Sequence, residues 1–292
     1  MARIGKALHS APELKDVSAD DASDVGEPNF KLVRDLPATV HQIVYTRTRT
    51  LDVPRELLRA SRIVSGFDQC LFTDAYKILS TQVSQKLRMN EWSTLGVTSP
   101  GSGEGKTLTA INLAISLASE FNQTALLVDA DLRRPSVGEY FGLQPGPGLS
   151  DYLMSNTPID ELLVHPEITG FVFLPGGTPL VNSSEALGWR RMADLVRELK
   201  LRYPSRLVVF DLPPVLYTAD VLAFAPCIDA TLLVVEEGRT SRHDIEQATQ
   251  RLAGTQLLGT VLNKSSEVKA PSERSRGWVR SLFRRGQDRR VR

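Results

Sequence analysis

The run Ser99-Pro100-Gly101-Ser102-Gly103-Glu104-Gly105-Lys106-Thr107 has the composition of a loop that holds phosphate. An apolar stretch, Leu95-Gly96-Val97-Thr98, precedes it, and a helix-forming stretch, Leu108-Thr109-Ala110-Ile111-Asn112-Leu113-Ala114, follows. Small residues let successive backbone N–H groups turn inward around an anion, and the following helix aims its positive end at the same point. Gly101, Ser102, Gly103, Glu104, Gly105 and Leu108 supply that backbone. At this spacing Lys106 reaches the outer phosphates of a nucleotide, and the Thr107 hydroxyl ligates Mg2+. Pro100 stands where the usual pattern has glycine. The strand–loop–helix context, not that single position, identifies the loop.

Two further segments deliver carboxylates. Ala125-Leu126-Leu127-Val128-Asp129-Ala130-Asp131-Leu132-Arg133-Arg134-Pro135 reads as an apolar strand running into a polar loop. Residues two apart on an extended chain point the same way, so Asp129 and Asp131 can face one site. Arg206-Leu207-Val208-Val209-Phe210-Asp211-Leu212-Pro213-Pro214 is again an apolar run ending in aspartate. Mg2+ takes one or two carboxylates together with water and phosphate oxygens. Three aspartates beside a phosphate loop meet that need and leave one carboxylate to handle a proton.

Positioning these groups requires several strands whose ends converge. Apolar runs fall at Thr94–Thr98, Ala125–Asp129, Phe171–Leu174, Leu207–Asp211, Ala230–Val235 and Leu257–Leu262. Most are continuous rather than alternating, as strands covered on both faces are. Helices are expected at Lys106–Glu120, Ser184–Leu201, Ala219–Ala225 and Ser241–Leu252, with Asn182 and Glu185 spaced as a capping box before the second. Tyr76, Leu79, Val83 and Leu87 share one face of an earlier helix. The alternation predicts an α/β fold, a doubly wound and mostly parallel sheet with helices on both faces. Ligands on such sheets bind at the carboxyl ends of strands, where each motif above lies.

The 292 residues are 41% hydrophobic and 24% charged, the balance of a soluble globular chain. Residues 1–60 are polar and proline-dotted, with an acidic patch from Asp16 to Asp24, and read as a mostly disordered segment with a short helix near Glu56–Ser61. Residues 61–264 carry the phosphate-loop domain, and 265–292 form a basic tail. That tail holds nine basic residues against three acidic ones, a surplus of six, so the rest of the chain carries −5 within a net charge of +1. An acidic core argues against nucleic-acid binding. No apolar run reaches the roughly 18 residues needed to cross a bilayer, and the first residues lack a signal-peptide core, so a cytoplasmic location is expected. Cys70 and Cys227 are isolated, without metal-ligand spacing, and are expected to be buried thiols.

Gly103-Glu104-Gly105-Lys106-Thr107, Asp129-x-Asp131-x-Arg133 and Asp211-x-Pro213-Pro214 resemble the Walker A, A′ and B motifs of bacterial tyrosine kinases. The resemblance is strongest to cytoplasmic kinases linked to exopolysaccharide synthesis, including those accompanying exosortase systems. It extends through Asp74-Ala75-Tyr76-Lys77-Ile78-Leu79, Gly148-Leu149-Ser150-Asp151-Tyr152-Leu153, Asn182-Ser183-Ser184-Glu185-Ala186-Leu187 and Leu258-Gly259-Thr260-Val261-Leu262-Asn263. It implies a P-loop NTPase fold of the Min/Par class that uses ATP and Mg2+. Lys106 and the loop amides would hold the phosphates, and Thr107 and Asp131 the metal, with Asp211 acting through water. Asp129 would accept the proton of a tyrosine hydroxyl, and Asn263 would meet the adenine. Arg133 matches the arginine of the A′ motif, or forms a loop salt bridge.

Two neighbouring classes fit less well. Partition ATPases carry a lysine early in the loop, where this chain has Gly101, and GTPases read Asn-Lys-x-Asp where this chain has Asn263-Lys264-Ser265-Ser266. The chain also departs from the kinases it resembles. Their tyrosine-rich C-terminus is missing: the six tyrosines are Tyr45, Tyr76, Tyr140, Tyr152, Tyr203 and Tyr217. Most are expected in the core, with Tyr45 as the mobile acceptor. The ring-forming Glu-x-x-Arg-x-x-Arg motif reads Asp74-x-x-Lys77-x-x-Ser80, which puts a homo-oligomeric ring in question. Trp278, Leu282 and Phe283 share one helical face of the tail, which either rests on anionic lipid at the inner face of the plasma membrane or stays solvated. Two functions remain open on sequence grounds. One is a tyrosine kinase of exopolysaccharide synthesis and export. The other is an ATP-driven switch acting on a membrane-embedded polysaccharide chain-length or co-polymerase protein.

Overall fold

The computed structural model describes residues 48–65, 71–120, 123–155, 157–202 and 206–265. Among these residues eight strands form one sheet: β1 (Arg49–Thr50), β2 (Thr94–Thr98), β3 (Thr124–Asp129), β4 (Val164–His165), β5 (Phe171–Leu174), β6 (Arg206–Asp211), β7 (Ala230–Glu236) and β8 (Leu257–Asn263). Their order across the sheet is β1-β4-β5-β3-β6-β2-β7-β8. Neighbours from β5 to β8 are parallel; β4 runs against β5, and β1 is parallel to β4. This is the doubly wound, mostly parallel sheet expected from the apolar runs.

Among the described residues ten α-helices cover it: α1 (Arg55–Ala60), α2 (Leu71–Met89), α3 (Lys106–Ala118), α4 (Val137–Tyr140), α5 (Leu149–Ser155), α6 (Ile159–Leu162), α7 (Ser183–Gly188), α8 (Arg190–Arg202), α9 (Asp220–Phe224) and α10 (Arg242–Arg251). Successive strand side chains alternate between two apolar layers. Ala125, Leu127, Phe171 and Phe173 pack with Val83 and Leu87 of α2 and with Ile111 and Leu113 of α3. Leu126, Val128, Val172 and Leu174 pack on the other side with residues of α5 to α10. Both faces are buried, which is why the strands read as unbroken apolar runs. Each fully buried leucine or phenylalanine stabilises the fold by about 1.5–3 kcal/mol.

Two local expectations are corrected. The helix expected over Ser184–Leu201 is two helices, broken at Trp189, whose ψ of 148° is extended. Asn182 makes no side-chain bond at the start of α7, so the capping box does not form; Ser184 Oγ instead donates to Glu185 Oε2 at 3.1 Å. Within the segment 1–60, α1 lies near the helix expected there, and β1 joins the sheet edge. Buried Asn112 of α3 ties the residues after α1 down: its Oδ1 accepts from the Val64 and Ser65 amides, and its Nδ2 donates to the Arg62 carbonyl.

Candidate active site

The strands that carry the motifs are neighbours. In register, Asp211 of β6 lies opposite Asp129 of β3 on one side and Val97 of β2 on the other. Sheet order therefore delivers two aspartates and the phosphate loop to one edge. The loop is stitched to the segment after β6: Thr98 Oγ1 donates to the Pro213 carbonyl at 2.7 Å, and the Val215 amide to the Ser99 carbonyl at 2.9 Å.

Gly103 and Gly105 adopt φ of 80° and 92°, the left-handed region where a Cβ is strained. A Cβ on Gly105 would also collide with Asn263 Nδ2. Gly105 begins α3 without any side-chain cap, so the first-turn N–H groups of this long, buried helix remain available to an anion. Glu104 braces the loop from within. Its Oε2 accepts from the Gly101 amide at 2.9 Å, and its Oε1 from Thr240 Oγ1 at 2.6 Å. Asn263 Nδ2 donates to the Glu104 carbonyl at 2.9 Å, and Lys264 Nζ to the Gly103 carbonyl at 2.8 Å. Ser102 stays exposed at the loop's outer side and Leu108 is half-buried.

Lys106 reaches into the carboxylate cluster. Its Nζ lies 2.9 Å from Asp131 Oδ2 and 3.3 Å from Asp211 Oδ1, while Thr107 Oγ1 donates to Asp211 Oδ2 at 2.6 Å. Burial alone would lower the Lys106 pKa, but Asp211 and Asp131 outweigh it and hold the ammonium well above its ordinary range. Asp129 is fully buried; its Oδ2 accepts from the Ser136 and Val137 amides at 2.8 and 2.9 Å. Burial, reinforced by the Asp211 charge, pushes its carboxyl up to about 8. Burial raises Asp211 as well. The three carboxyl groups outnumber the single ammonium, and a divalent cation would favour their charged forms. The donors fit such an ion: Thr107, Asp131 and Asp211 supply one hydroxyl and two carboxylates, the partial set that Mg2+ completes with phosphate and water.

Arg133 does not join this cluster. Its Nε donates to Ser183 Oγ at 2.9 Å and lies 3.6 Å from Asp220 Oδ1, so the loop salt bridge is the arrangement present. Asp220, nine residues beyond Asp211, was passed over in the sequence; an aspartate at a helix start reads as an ordinary cap. Gly176 was also missed. A Cβ there would lie 3.3 Å from Asp129 Cγ, so the glycine allows the turn after β5 to pack behind that carboxylate. Its signal was the Pro175-Gly176-Gly177 turn that follows an apolar strand.

The remaining tyrosine and ring positions can be placed in part. Most tyrosines were expected in the core; Tyr217 is 75% exposed, whereas Tyr76, Tyr140 and Tyr152 are half-buried. Tyr45, Tyr203, Cys70 and the tail beyond Ser265 lie outside the described residues. Cys227 is half-buried, its thiol pushed up by burial. On α2, Asp74 and Lys77 are exposed and 4.0 Å apart, and Ser80 is buried against Ser116. No helix among the described residues is long and apolar enough to cross a membrane.

The CobQ/CobB/MinD/ParA nucleotide-binding domain family matches residues 95–277, more than half of the chain. Tyrosine-protein kinase YwqD of Bacillus subtilis (strain 168) is 30% identical over 195 residues, which cover 66% of this chain and 81% of YwqD. The chain belongs to the bacterial tyrosine kinases of this nucleotide-binding class. The succinoglycan biosynthesis transport protein ExoP of Rhizobium meliloti (strain 1021) is 30% identical over 212 residues, 71% of this chain but 27% of ExoP. Among solved structures, the kinase domain of the Escherichia coli tyrosine kinase ETK superposes with a TM-score of 0.64 at 26% identity, covering 79% of this chain and 89% of that one. That kinase domain is matched over nearly its whole length.

Proposed function

We propose that this protein is an ATP- and Mg2+-dependent protein-tyrosine kinase acting in exopolysaccharide synthesis and export. The observation that carries the reading is the convergence of Lys106, Thr107, Asp131 and Asp211 within hydrogen-bonding distance at the foot of the phosphate loop. Phosphoryl transfer asks for positioning and charge neutralisation more than for covalent help. The loop amides and Lys106 would hold the phosphates, and Asn263, fixed to the loop through the Glu104 carbonyl, would border the base. Thr107 and Asp131 would hold Mg2+, with Asp211 supporting it, and the ion would neutralise charge on the transferring phosphoryl group. Asp129, aimed by the Ser136 and Val137 amides, accepts the proton of the attacking tyrosine hydroxyl. Its raised pKa suits a base working near neutral pH.

The partner in this reading is a membrane-embedded polysaccharide chain-length or co-polymerase protein; support comes from the similarity to a succinoglycan biosynthesis transport protein, ExoP. The basic tail, with Trp278, Leu282 and Phe283 among its arginines, would hold the protein against anionic lipid at the inner face of the plasma membrane. One observation favours a non-kinase ATP switch instead: Ser80, in the ring motif, is buried and bonded to Ser116, so it offers no charge to a neighbouring subunit. Incubation with labelled ATP and Mg2+, followed by phosphotyrosine mapping on the protein and on a glutamate–tyrosine copolymer, separates the two. Phosphotyrosine is expected. ATP hydrolysis without any phosphotyrosine would leave the switch.

A further inference from the structure

We propose that Tyr217 is a phosphoacceptor, modified by the active site of a second copy of this chain. This rests on the kinase reading above and adds the acceptor that the tail does not provide, since no tyrosine follows Tyr217 in the sequence. Among the described tyrosines, Tyr217 alone is exposed. The Tyr76 phenol is held inside, its pKa raised by burial. The Tyr152 ring is covered by the Arg191 guanidinium, 4.5 Å from the ring centre. Tyr140 is half-buried, and its pKa is also raised by burial.

Tyr217 stands in the turn between Pro214 and α9, immediately after the segment that ends in Asp211. Its Cε2 is 3.9 Å from where a Cβ on Gly101 would lie, so the ring borders the outer side of the phosphate loop. There it lines a cavity of about 380 Å³ together with Gly101, Ser102, Leu216 and Arg239. Lys106, Asp129, Asp131 and Asp211 are not among the walls of that cavity. The phenol thus borders a cavity that its own proton acceptor does not line, and the transfer we propose runs between two copies. The Tyr217 oxygen attacks the γ-phosphorus of ATP held by the other copy. The bond to the bridging β–γ oxygen breaks, ADP leaves with that electron pair, and the phenolic proton passes to the other copy's Asp129. The product phosphate lies in a cavity that already contains the Arg239 guanidinium, a charge partner for a dianion, although Glu104 and Asp244 also line it.

The test mixes the wild-type full chain with a mass-tagged Lys106→Met chain, labelled ATP and Mg2+, and maps phosphotyrosine on the tagged copy. A tagged Asp129→Asn chain serves as a second inactive acceptor, should the first fail to fold. Label on Tyr217 of the tagged copy is expected, with loss of most of it when Tyr217→Phe is added to that copy. Label on Tyr45 or Tyr203 in place of Tyr217 overturns the assignment. So does label on Tyr217 of the wild-type chain alone, or on a glutamate–tyrosine copolymer with none on Tyr217; in each case the kinase reading stands. Hydrolysis of ATP with no phosphotyrosine on any chain or on the copolymer removes both.

Discussion

Lys106 and Asp129 do opposite electrostatic work in the same cluster, and their substitutions should separate cleanly. Lys106 is held between Asp131 and Asp211, so Lys106→Met leaves buried carboxylates without their ammonium. Breaking a buried pair in this way costs about 3 kcal/mol, which a domain of ordinary stability survives. We expect a folded chain with a lowered melting temperature and no detectable nucleotide binding by calorimetric titration. Asp129 is a buried carboxyl whose pKa, pushed up to about 8, exceeds the unfolded value of 3.8. Between those values the folded chain binds a proton that the unfolded chain has lost, so stability from this group falls as pH rises toward 8. Asp129→Asn removes the effect. Without nucleotide it should be more stable than wild type by about 1–2 kcal/mol at pH 8, with a smaller gain at pH 6. Thermal unfolding at both pH values checks this. The same variant should bind Mg2+ and ATP yet lose transfer to tyrosine; retained transfer would show that Asp129 is not the base.

At the scale of elements, the loop and its strands carry separable costs. Gly105→Ala forces a side chain into a backbone region with φ of 92° and against Asn263, which itself holds the loop through the Glu104 carbonyl. The strain of about 1–3 kcal/mol falls on the phosphate cradle, so ATP affinity should drop well beyond what global stability explains. Comparing nucleotide titration with urea unfolding tests that. Asp229 does the reverse, acting on the fold and not on the site. It joins the start of β2 to α8 by accepting from the Ser93 and Thr94 amides, the Thr94 hydroxyl and Lys200 Nζ at 2.6 Å. Partial burial raises its pKa, but the Lys200 and Thr94 bonds outweigh it and leave the group below the ordinary carboxylate value. Its stabilisation is therefore present above pH 4 and lost as pH falls through the folded pKa. Asp229→Ala should cost about 2–3 kcal/mol at pH 7 in urea unfolding and leave the affinity for ATP unchanged. The strands bearing these residues were readable because burial on both faces writes an unbroken apolar run. β1 and β4 were not, since two residues carry no periodicity. The break at Trp189 escaped for another reason: α7 and α8 have compatible helical patterns on either side, and no proline marks the break.

Over the whole molecule, the charges that read as chemistry in the sequence are those that the sheet order brings together, and the rest were ambiguous for physical reasons. Asp129 and Asp211 announced themselves because each ends a buried strand, with Asp131 two residues beyond the first, where a buried carboxylate is costly unless it serves a purpose. Arg133 could not be resolved the same way: its partner Asp220 lies 87 positions along the chain, and nothing local marks the pair. Tyr217 was not told apart from the tyrosines expected in the core, because its neighbours Val215 and Leu216 are apolar, yet it is exposed in the turn it occupies. The basic tail poses the last question of this kind. Its surplus of six positive charges sits on a chain otherwise at −5, so it should be attracted to anionic lipid while the rest of the chain is repelled. Near a charged bilayer each basic residue contributes about 1 kcal/mol, an attraction that fades within a Debye length and with added salt. Flotation with liposomes rich in phosphatidylserine should therefore carry up the full chain at low salt and much less of it at high salt. A chain cut after Lys264 should stay at the bottom in both, and neutral phosphatidylcholine liposomes should retain little of either. Equal flotation of the full and shortened chains would show the tail to be a solvated appendage, and would move any membrane attachment to a protein partner.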